Sequence, residues 1–116
     1  MDSERFERGL EIRKKVGGKT VIDNAEPLGE LGRYIIEFAF GDIYSRKGLS
    51  LREMEISTIS MLASRSGIDG QLKFHMMAGL NVGLTREEIE EIIIHTVPYS
   101  GFPTAINALN TLKSIE

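Results

Sequence analysis

Residues 64–90 read SRSGIDGQLKFHMMAGLNVGLTREEIE and contain a helical pattern with one histidine on its apolar side. The pattern has the helical period of about 3.6 residues, and its shared face consists of Ile68, Leu72, His75, Met76 and Gly79. We therefore predict a helix with Asp69 as its cap that runs to Asn81, followed by Gly83 as a left-handed stop. The His75 side chain is expected to point into the core or a lined opening. It is either a hydrogen-bonded core residue or a functional one.

Two capping boxes mark the helices on either side of this stretch. Ser50 with Glu53, and Thr85 with Glu88, have the spacing in which a side-chain oxygen of each residue accepts from the other's backbone N–H. The helix after Ser50 is apolar around most of its circumference, which is typical of a helix that other subunits cover. The helix after Thr85 is also strongly apolar, and Pro98 and Gly101 are expected to end or kink it.

The start of the chain is predicted to form a surface helix. Ser3 is placed as its N-cap, the helix runs to about Val16, and Gly17 and Gly18 end it. Residues Lys19–Asn24 then form a short connector, which is too brief and isolated to begin a sheet.

Two further helices complete the prediction. One begins at Pro27, and its buried stripe is formed by Leu28, Leu31, Ile35, Phe38, Ala39, Asp42 and Ile43. The last opens at Phe102 and Pro103, with inward positions at Ile106, Leu109, Leu112 and Ile115. Strand patterning is absent from the sequence. The expected fold is all-α, with about six helices in a single domain over residues 1–116, and the excess of apolar helix surface predicts a homo-oligomer.

Composition excludes several classes of function. The chain has a net charge of -3 and a sequence pI of about 5.5, so it lacks the basic surface that nucleic-acid binding requires. No apolar run is long enough to span a membrane and the start of the chain is too charged for a secretory signal, which predicts a cytoplasmic protein. The absence of cysteine removes thiol chemistry and disulfides. The two histidines are far apart in the sequence and form no HxxxH or HxH pair, so we predict no transition-metal site.

Acidic and aromatic residues accompany His75 as site candidates. Asp42 falls on a predicted buried stripe, where an unpaired carboxylate would cost several kcal/mol, so it must be paired, neutral or near the water at the helix end. The flank beside that stripe holds Glu37, Phe40, Gly41 and Tyr44. His95 and Tyr99 share a helix face one turn apart, and they line either a subunit contact or a site.

Four segments, in this order, resemble the carboxymuconolactone decarboxylase family. They are FERGLEIRKKVGG (6–18), EFAFGDIYSRKGLSLRE (37–53), FHMMAGLNVGLTREEIEEI (74–92) and YSGFPTAINAL (99–109). The resemblance covers nearly the whole chain, from Arg5 to about Lys113. It implies an alkyl hydroperoxidase D-like helical domain, a decarboxylase activity and a ring-shaped trimer or hexamer.

Departures from the family patterns bear on the chemistry. The alkyl hydroperoxidase D branch carries CxxC ahead of its histidine, and here Ile68 and Gln71 occupy those positions. A peroxidase without thiols cannot run its cycle. Glu55 matches the acid that this branch places upstream, whereas Asp42 and Phe40 stand where the decarboxylase run usually has Glu and Trp.

The resemblance implies decarboxylation of 4-carboxymuconolactone or a related small lactone or carboxylic acid. The unsaturated lactone is its own electron sink, so no cofactor is predicted. His75 is the expected proton donor or oxyanion partner, and Asp42 or Glu37 would orient it. Arg52 is the expected clamp for the spectator carboxylate, with Arg46, Arg65 and Arg33 close behind. A pocket lined by Phe40, Tyr44, His75 and Tyr99 would hold the substrate.

Two alternatives stay open at this point. The chain could be an oxidoreductase relative of the peroxidase branch that has lost its thiols. It could also be a non-catalytic small-molecule-binding oligomer in which His75 and Asp42 form a buried pair. Solvent access distinguishes a structural role from a binding role, because a sealed pair favours the former and an open pocket favours a small-molecule site.

Overall fold

A computed structural model describes residues 3–18 and 28–116, and these residues form six helices and no strand. The helices are α1 (Glu4–Gly17), α2 (Glu30–Tyr34, continued by a π-helical segment, Ile35–Tyr44), α3 (Leu51–Ala63), α4 (Asp69–Asn81), α5 (Arg86–Ser100) and α6 (Phe102–Lys113). The all-α prediction is confirmed. The connector Lys19–Asn24 and the helix start at Pro27 lie outside the described residues.

The helices belong to two compact units, Met1–Leu51 with α1 and α2, and Arg52–Glu116 with α3 to α6. The family resemblance spans both units. A single domain over residues 1–116 stays a prediction.

In the first unit, α1 has the predicted caps. The Ser3 Oγ accepts a hydrogen bond from the Phe6 backbone N–H at 3.1 Å, which satisfies one of the free donors of the first turn. Gly18 ends the helix at a φ of 71°, and its N–H donates to the Lys14 carbonyl oxygen. The helix packs against α2.

The predicted buried stripe of α2 is wrong. The residues of α2 that are buried are Gly32, Ile36, Glu37, Phe40 and Gly41. The predicted positions Leu28, Leu31, Phe38 and Ile43 are exposed. The buried residues also recur at helical spacing, but on a different face of the helix. That face includes Gly41, where the backbone of α1 comes close, since a Cβ there would lie 2.4 Å from the Arg5 carbonyl oxygen.

The second unit has a continuous apolar core. It consists of Ile59, Ala63, Leu72, Met76, Leu84, Ile89, Ile93, Ala105, Ala108, Leu112 and Ile115. The Thr85 and Glu88 capping box is present at the start of α5. One expectation is wrong here, because Ile106 is exposed instead of inward. α5 continues past Pro98 to Ser100, and Gly101, one of the two residues expected to end or kink it, ends it at a φ of 92°. α3 begins directly after Ser50, and its capping box stays a prediction.

Large apolar side chains are exposed in both units. They are Leu28, Leu31, Tyr34, Phe38, Ile43, Leu49, Met61, Met77, Ile94, Tyr99, Phe102 and Ile106. Within the described residues, no helix combines the length and hydropathy that crossing a membrane would require.

Candidate functional site

His75 and Glu55 form a hydrogen-bonded pair between α4 and α3. The His75 Nδ1 lies 2.9 Å from the Glu55 Oε1. Glu55 is 0% exposed, whereas the His75 side chain is 18% exposed and therefore reaches an opening. Both residues have buried apolar neighbours on their own helices. Ile59 lies one turn after Glu55, and Met76 is next to His75 in the chain.

Gly79, one helical turn after His75, allows α3 to pack closely on α4. A Cβ at Gly79 would lie 2.9 Å from the Leu84 Cδ1, 3.0 Å from the Ile59 Cδ1 and 3.8 Å from the Glu55 Cβ. A glycine therefore brings the two helices near enough for the Glu55 carboxylate to reach the imidazole.

The pair defines which ring atom faces a ligand. An ionised carboxylate only accepts, so with Glu55 ionised the Nδ1 carries the proton, and in either case the Nε2 is the His75 atom left for chemistry. Phe74 meets the imidazole edge-on, with ring centroids 4.9 Å apart at 88°. The Glu55 Oε2 is buried with no hydrogen-bond partner among the described residues. A buried carboxylate behind an accessible imidazole can orient the ring and stabilise its protonated form.

The structure gives Asp42 and Glu37 partners other than His75. Arg5 binds the Asp42 carboxylate through its Nη2 at 2.8 Å and its Nε at 3.1 Å, and Arg8 lies 3.4 Å from it. Asp42 is 29% exposed, so it is not on a buried stripe. Among the described residues, the carboxylate that hydrogen-bonds His75 is that of Glu55, and an orienting role for Asp42 or Glu37 stays a prediction.

Glu37 is engaged within the first unit. Its Oε2 accepts from the Ser3 hydroxyl at 3.0 Å, and its Oε1 lies 3.2 Å from the Arg33 Nη1. Arg33 also binds Glu30, and that hydrogen bond is the main cause that raises the pKa of the guanidinium. Arg33 is thus held by two carboxylates.

The Asp42 ion pair predicts a pH dependence of stability. The hydrogen bond from Arg5 is the main cause that lowers the pKa of Asp42 below its ordinary value. The pair therefore contributes stability above the unfolded pKa of about 3.9, and this contribution is lost as the pH falls through the folded pKa. Asp42→Asn should lower the urea midpoint at pH 7 by a small amount, since solvent screens the pair. The difference from the unsubstituted protein should vanish in acid.

A double-variant comparison isolates that effect. In an Arg5→Gln background, Asp42→Asn should shift the midpoint less at pH 7 than it does alone, with only the contact to Arg8 left. Equal midpoint shifts in both backgrounds would show that the pair with Arg5 contributes no stability.

Arg52, the predicted anion clamp, is paired with Glu88. Its Nη2 binds the Glu88 Oε2, and the Glu88 Oε1 accepts from the Thr85 backbone N–H at 2.9 Å. Arg46 and Arg65 are exposed. A substrate carboxylate at Arg52 would either replace Glu88 or bind the N–H groups that Glu88 leaves free.

The aromatic residues predicted to line the pocket make ring contacts within their own units. Phe40 and Tyr44 stack in the first unit with centroids 4.9 Å apart, and the buried Arg13 lies 5.3 Å above the Phe40 ring. Burial lowers the pKa of the Arg13 guanidinium. In the second unit, Tyr99 contacts His95 at a centroid distance of 5.9 Å.

Sequence reasoning assigned no role to Glu55, which forms the hydrogen bond to His75. The signal in the sequence was its match to the acid that the peroxidase branch places upstream. Among the described residues, no group of three or more His, Asp or Glu side chains is placed to hold a metal ion.

Comparison with known proteins identifies the family. The family model described as "Carboxymuconolactone decarboxylase family" matches residues 29–114. The chain is 32% identical over 119 residues to 4-carboxymuconolactone decarboxylase of Acinetobacter baylyi, covering 98% of this chain and 88% of that protein. It is also 29% identical over 109 residues to a nitrosuccinic acid decarboxylase of Metarhizium robertsii, covering 90% and 76%. The chain therefore belongs to the carboxymuconolactone decarboxylase family and is a carboxy-lyase.

Proposed function

We propose that this protein decarboxylates a small dicarboxylate whose departing carboxyl group sits on a carbon bonded directly to an electron-accepting group. His75 supplies the proton and no cofactor takes part. The observation that carries the proposal is the pair of a fully buried Glu55 and a partly exposed His75, joined at 2.9 Å.

The compounds in the two relatives' names support this substrate class. In 4-carboxymuconolactone, the carbon that carries the departing carboxyl group is joined to the double bond of an unsaturated lactone. In nitrosuccinic acid, the corresponding carbon carries a nitro group. Both carbons also carry a CH₂–COO⁻ arm. An acceptor that stores the electron pair and a second carboxylate that anchors the molecule are therefore the shared features.

For the lactone, the reaction balances without a cofactor. The bond between the γ carbon and the carboxylate breaks, CO₂ leaves, and its electron pair moves through the ring double bond onto the lactone carbonyl oxygen. The resulting dienolate takes one proton at the carbon beside the carbonyl, which gives 3-oxoadipate enol-lactone. A nitro compound would follow the same course through a nitronate. The protein has to stabilise the developing charge and deliver the proton.

The described residues divide these tasks. The His75 Nε2 donates the proton, and the Glu55 carboxylate holds the ring by its Nδ1 and stabilises the imidazolium. A guanidinium holds the CH₂–COO⁻ arm, with Arg52, Arg46 and Arg65 as candidates.

The proposal also covers further residues, the oligomeric state and the cellular compartment. Phe40, Tyr44 and Tyr99 are proposed to contact substrate, and Asp42 and Glu37 are proposed to act only as structural partners of Arg5 and Arg33. The exposed apolar side chains support a homo-oligomer, as a trimer or hexamer, and the setting is cytoplasmic. The alternative, an oxidoreductase relative that has lost its thiols, would need another redox group, since the chain contains no cysteine.

The test is turnover of two substrates by the purified protein. We expect decarboxylation of 4-carboxymuconolactone, nitrosuccinate or both well above the uncatalysed rate, measured as CO₂ release and product formation. Methylsuccinate keeps both carboxylates but has no acceptor, so it should release no CO₂. Protein treated with EDTA should keep its rate. Failure on both substrates, or release from methylsuccinate, would contradict the proposal.

A further inference from the structure

A pocket in the second unit lies apart from the helix that carries His75. It has a volume of about 480 Å³, within the range of small-molecule sites. Its walls come from α3 and the residue just after it, and from α5, so no residue of α4 lines it. Of the residues that line this pocket, the proposed decarboxylase function uses only Tyr99.

The serine and threonine hydroxyl groups of the pocket present acceptors only. The Ser60 Oγ donates to the Ile56 carbonyl oxygen at 2.7 Å, and the Ser64 Oγ donates to the Ser60 carbonyl oxygen at 3.0 Å. The Thr96 Oγ1 donates to the Ile93 carbonyl oxygen at 2.6 Å. Each hydroxyl has one proton, and each proton is already committed to a helix carbonyl. The three oxygens therefore have lone pairs left for a ligand and no hydrogen to give.

The charge in the pocket also favours a cationic, hydrogen-bond-donating ligand. Glu91 lines the wall, and within the described residues no basic side chain lies at ion-pair distance from it. A ligand carboxylate would meet both this negative charge and the acceptor oxygens. The substrate class proposed for the His75 site therefore fits this pocket poorly.

The rest of the lining suits an apolar body with a cationic end. Ile56 and Ile92 form apolar wall, and Tyr99 is 81% exposed, with its ring edge-on to His95. The face of a tyrosine ring attracts ammonium groups, and this attraction becomes stronger when solvent is displaced. A primary ammonium has three N–H donors and no acceptor, so it complements the three hydroxyl oxygens and the Glu91 carboxylate.

We propose that the pocket between α3 and α5 is a second binding site, for a small primary ammonium ion with an apolar or aromatic body. The ammonium donates to the hydroxyl oxygens of Ser60, Ser64 and Thr96 and faces Glu91. The apolar body lies on Ile56 and Ile92.

The test compares three probes of one shape on the full chain: benzylammonium, benzyl alcohol and benzoate. We expect benzylammonium to bind with a Kd of about 1 mM or tighter, measured by amide chemical shifts that change most near Ser60, Ser64 and Thr96. Benzyl alcohol should bind more weakly, and benzoate should not bind there.

Adjacent glutamates provide the matched control. Glu91→Gln should raise the Kd for benzylammonium about 5-fold, the loss of one partly exposed charge contact. Glu90→Gln makes the same change at a neighbouring exposed position outside the pocket and should leave the Kd unchanged. The proposal is overturned if benzoate binds as well as benzylammonium, if both variants weaken binding equally, or if no probe binds because a second copy covers the pocket.

Discussion

Replacing His75 by Asn should lower kcat by roughly 10²–10⁴, the range expected for loss of a positioned general acid. Asparagine is nearly as long and can still donate to the Glu55 Oε1, so the buried carboxylate keeps a partner. It has no proton to deliver to carbon. The change should therefore appear in kcat, with KM for 4-carboxymuconolactone nearly constant, because the variant still binds the substrate. Steady-state rates on the purified variant provide the measurement.

Glu55→Gln distinguishes a positioning role from a purely structural one. The amide keeps the shape of the side chain but removes the charge that supports the imidazolium, so kcat should fall less than in His75→Asn. In the double variant, Glu55→Gln should add no further loss of kcat, since a positioning residue acts only through the group that it positions. Normal turnover by His75→Asn, or a further loss in the double variant, would remove the pair from the mechanism.

The sequence predicted the position of His75 but not its partner, and the reason lies in helix α3. The face of α4 is readable because lysine, glutamine and asparagine occupy its other side. α3 is apolar around most of its circumference, so no single face stands out and the depth of Glu55 is hidden. Asp42 was chosen instead because it interrupts an apolar stripe in the same way.

The predicted stripe of α2 lay on the wrong face of the helix. The buried residues and the exposed residues both recur at helical spacing, and the exposed ones include large apolar side chains such as Leu31 and Phe38. Hydrophobicity alone therefore pointed to the wrong side. The more informative residues were small ones, because Gly9 and Gly41 mark where α1 and α2 touch backbone to backbone.

Gly9→Ala should destabilise the first unit by about 2 kcal/mol or more, through overpacking at a backbone contact. A Cβ at Gly9 would lie 1.9 Å from the Ile36 carbonyl oxygen and 2.8 Å from its carbonyl carbon. These are backbone atoms, so no rotamer change can relieve the clash and the helices must separate. Separation would also weaken the hydrogen bond of 2.7 Å from the Arg8 Nε to the Gly41 carbonyl oxygen. Urea unfolding followed by helical circular dichroism measures the loss.

Gly70→Ala is the matched control, because both glycines are helical and alanine is the better helix former at each. A Cβ at Gly70 would meet nothing within 4 Å, so this substitution should stabilise by about 0.5–1 kcal/mol. The opposite signs separate packing from helix propensity. Gly41→Ala probes the same crossing from the other side, since its Cβ would lie 2.4 Å from the Arg5 carbonyl oxygen. Once Gly9→Ala has separated the helices, Gly41→Ala should cost less than it does alone. A Gly9→Ala protein as stable as Gly70→Ala would mean that α1 and α2 do not cross at these glycines.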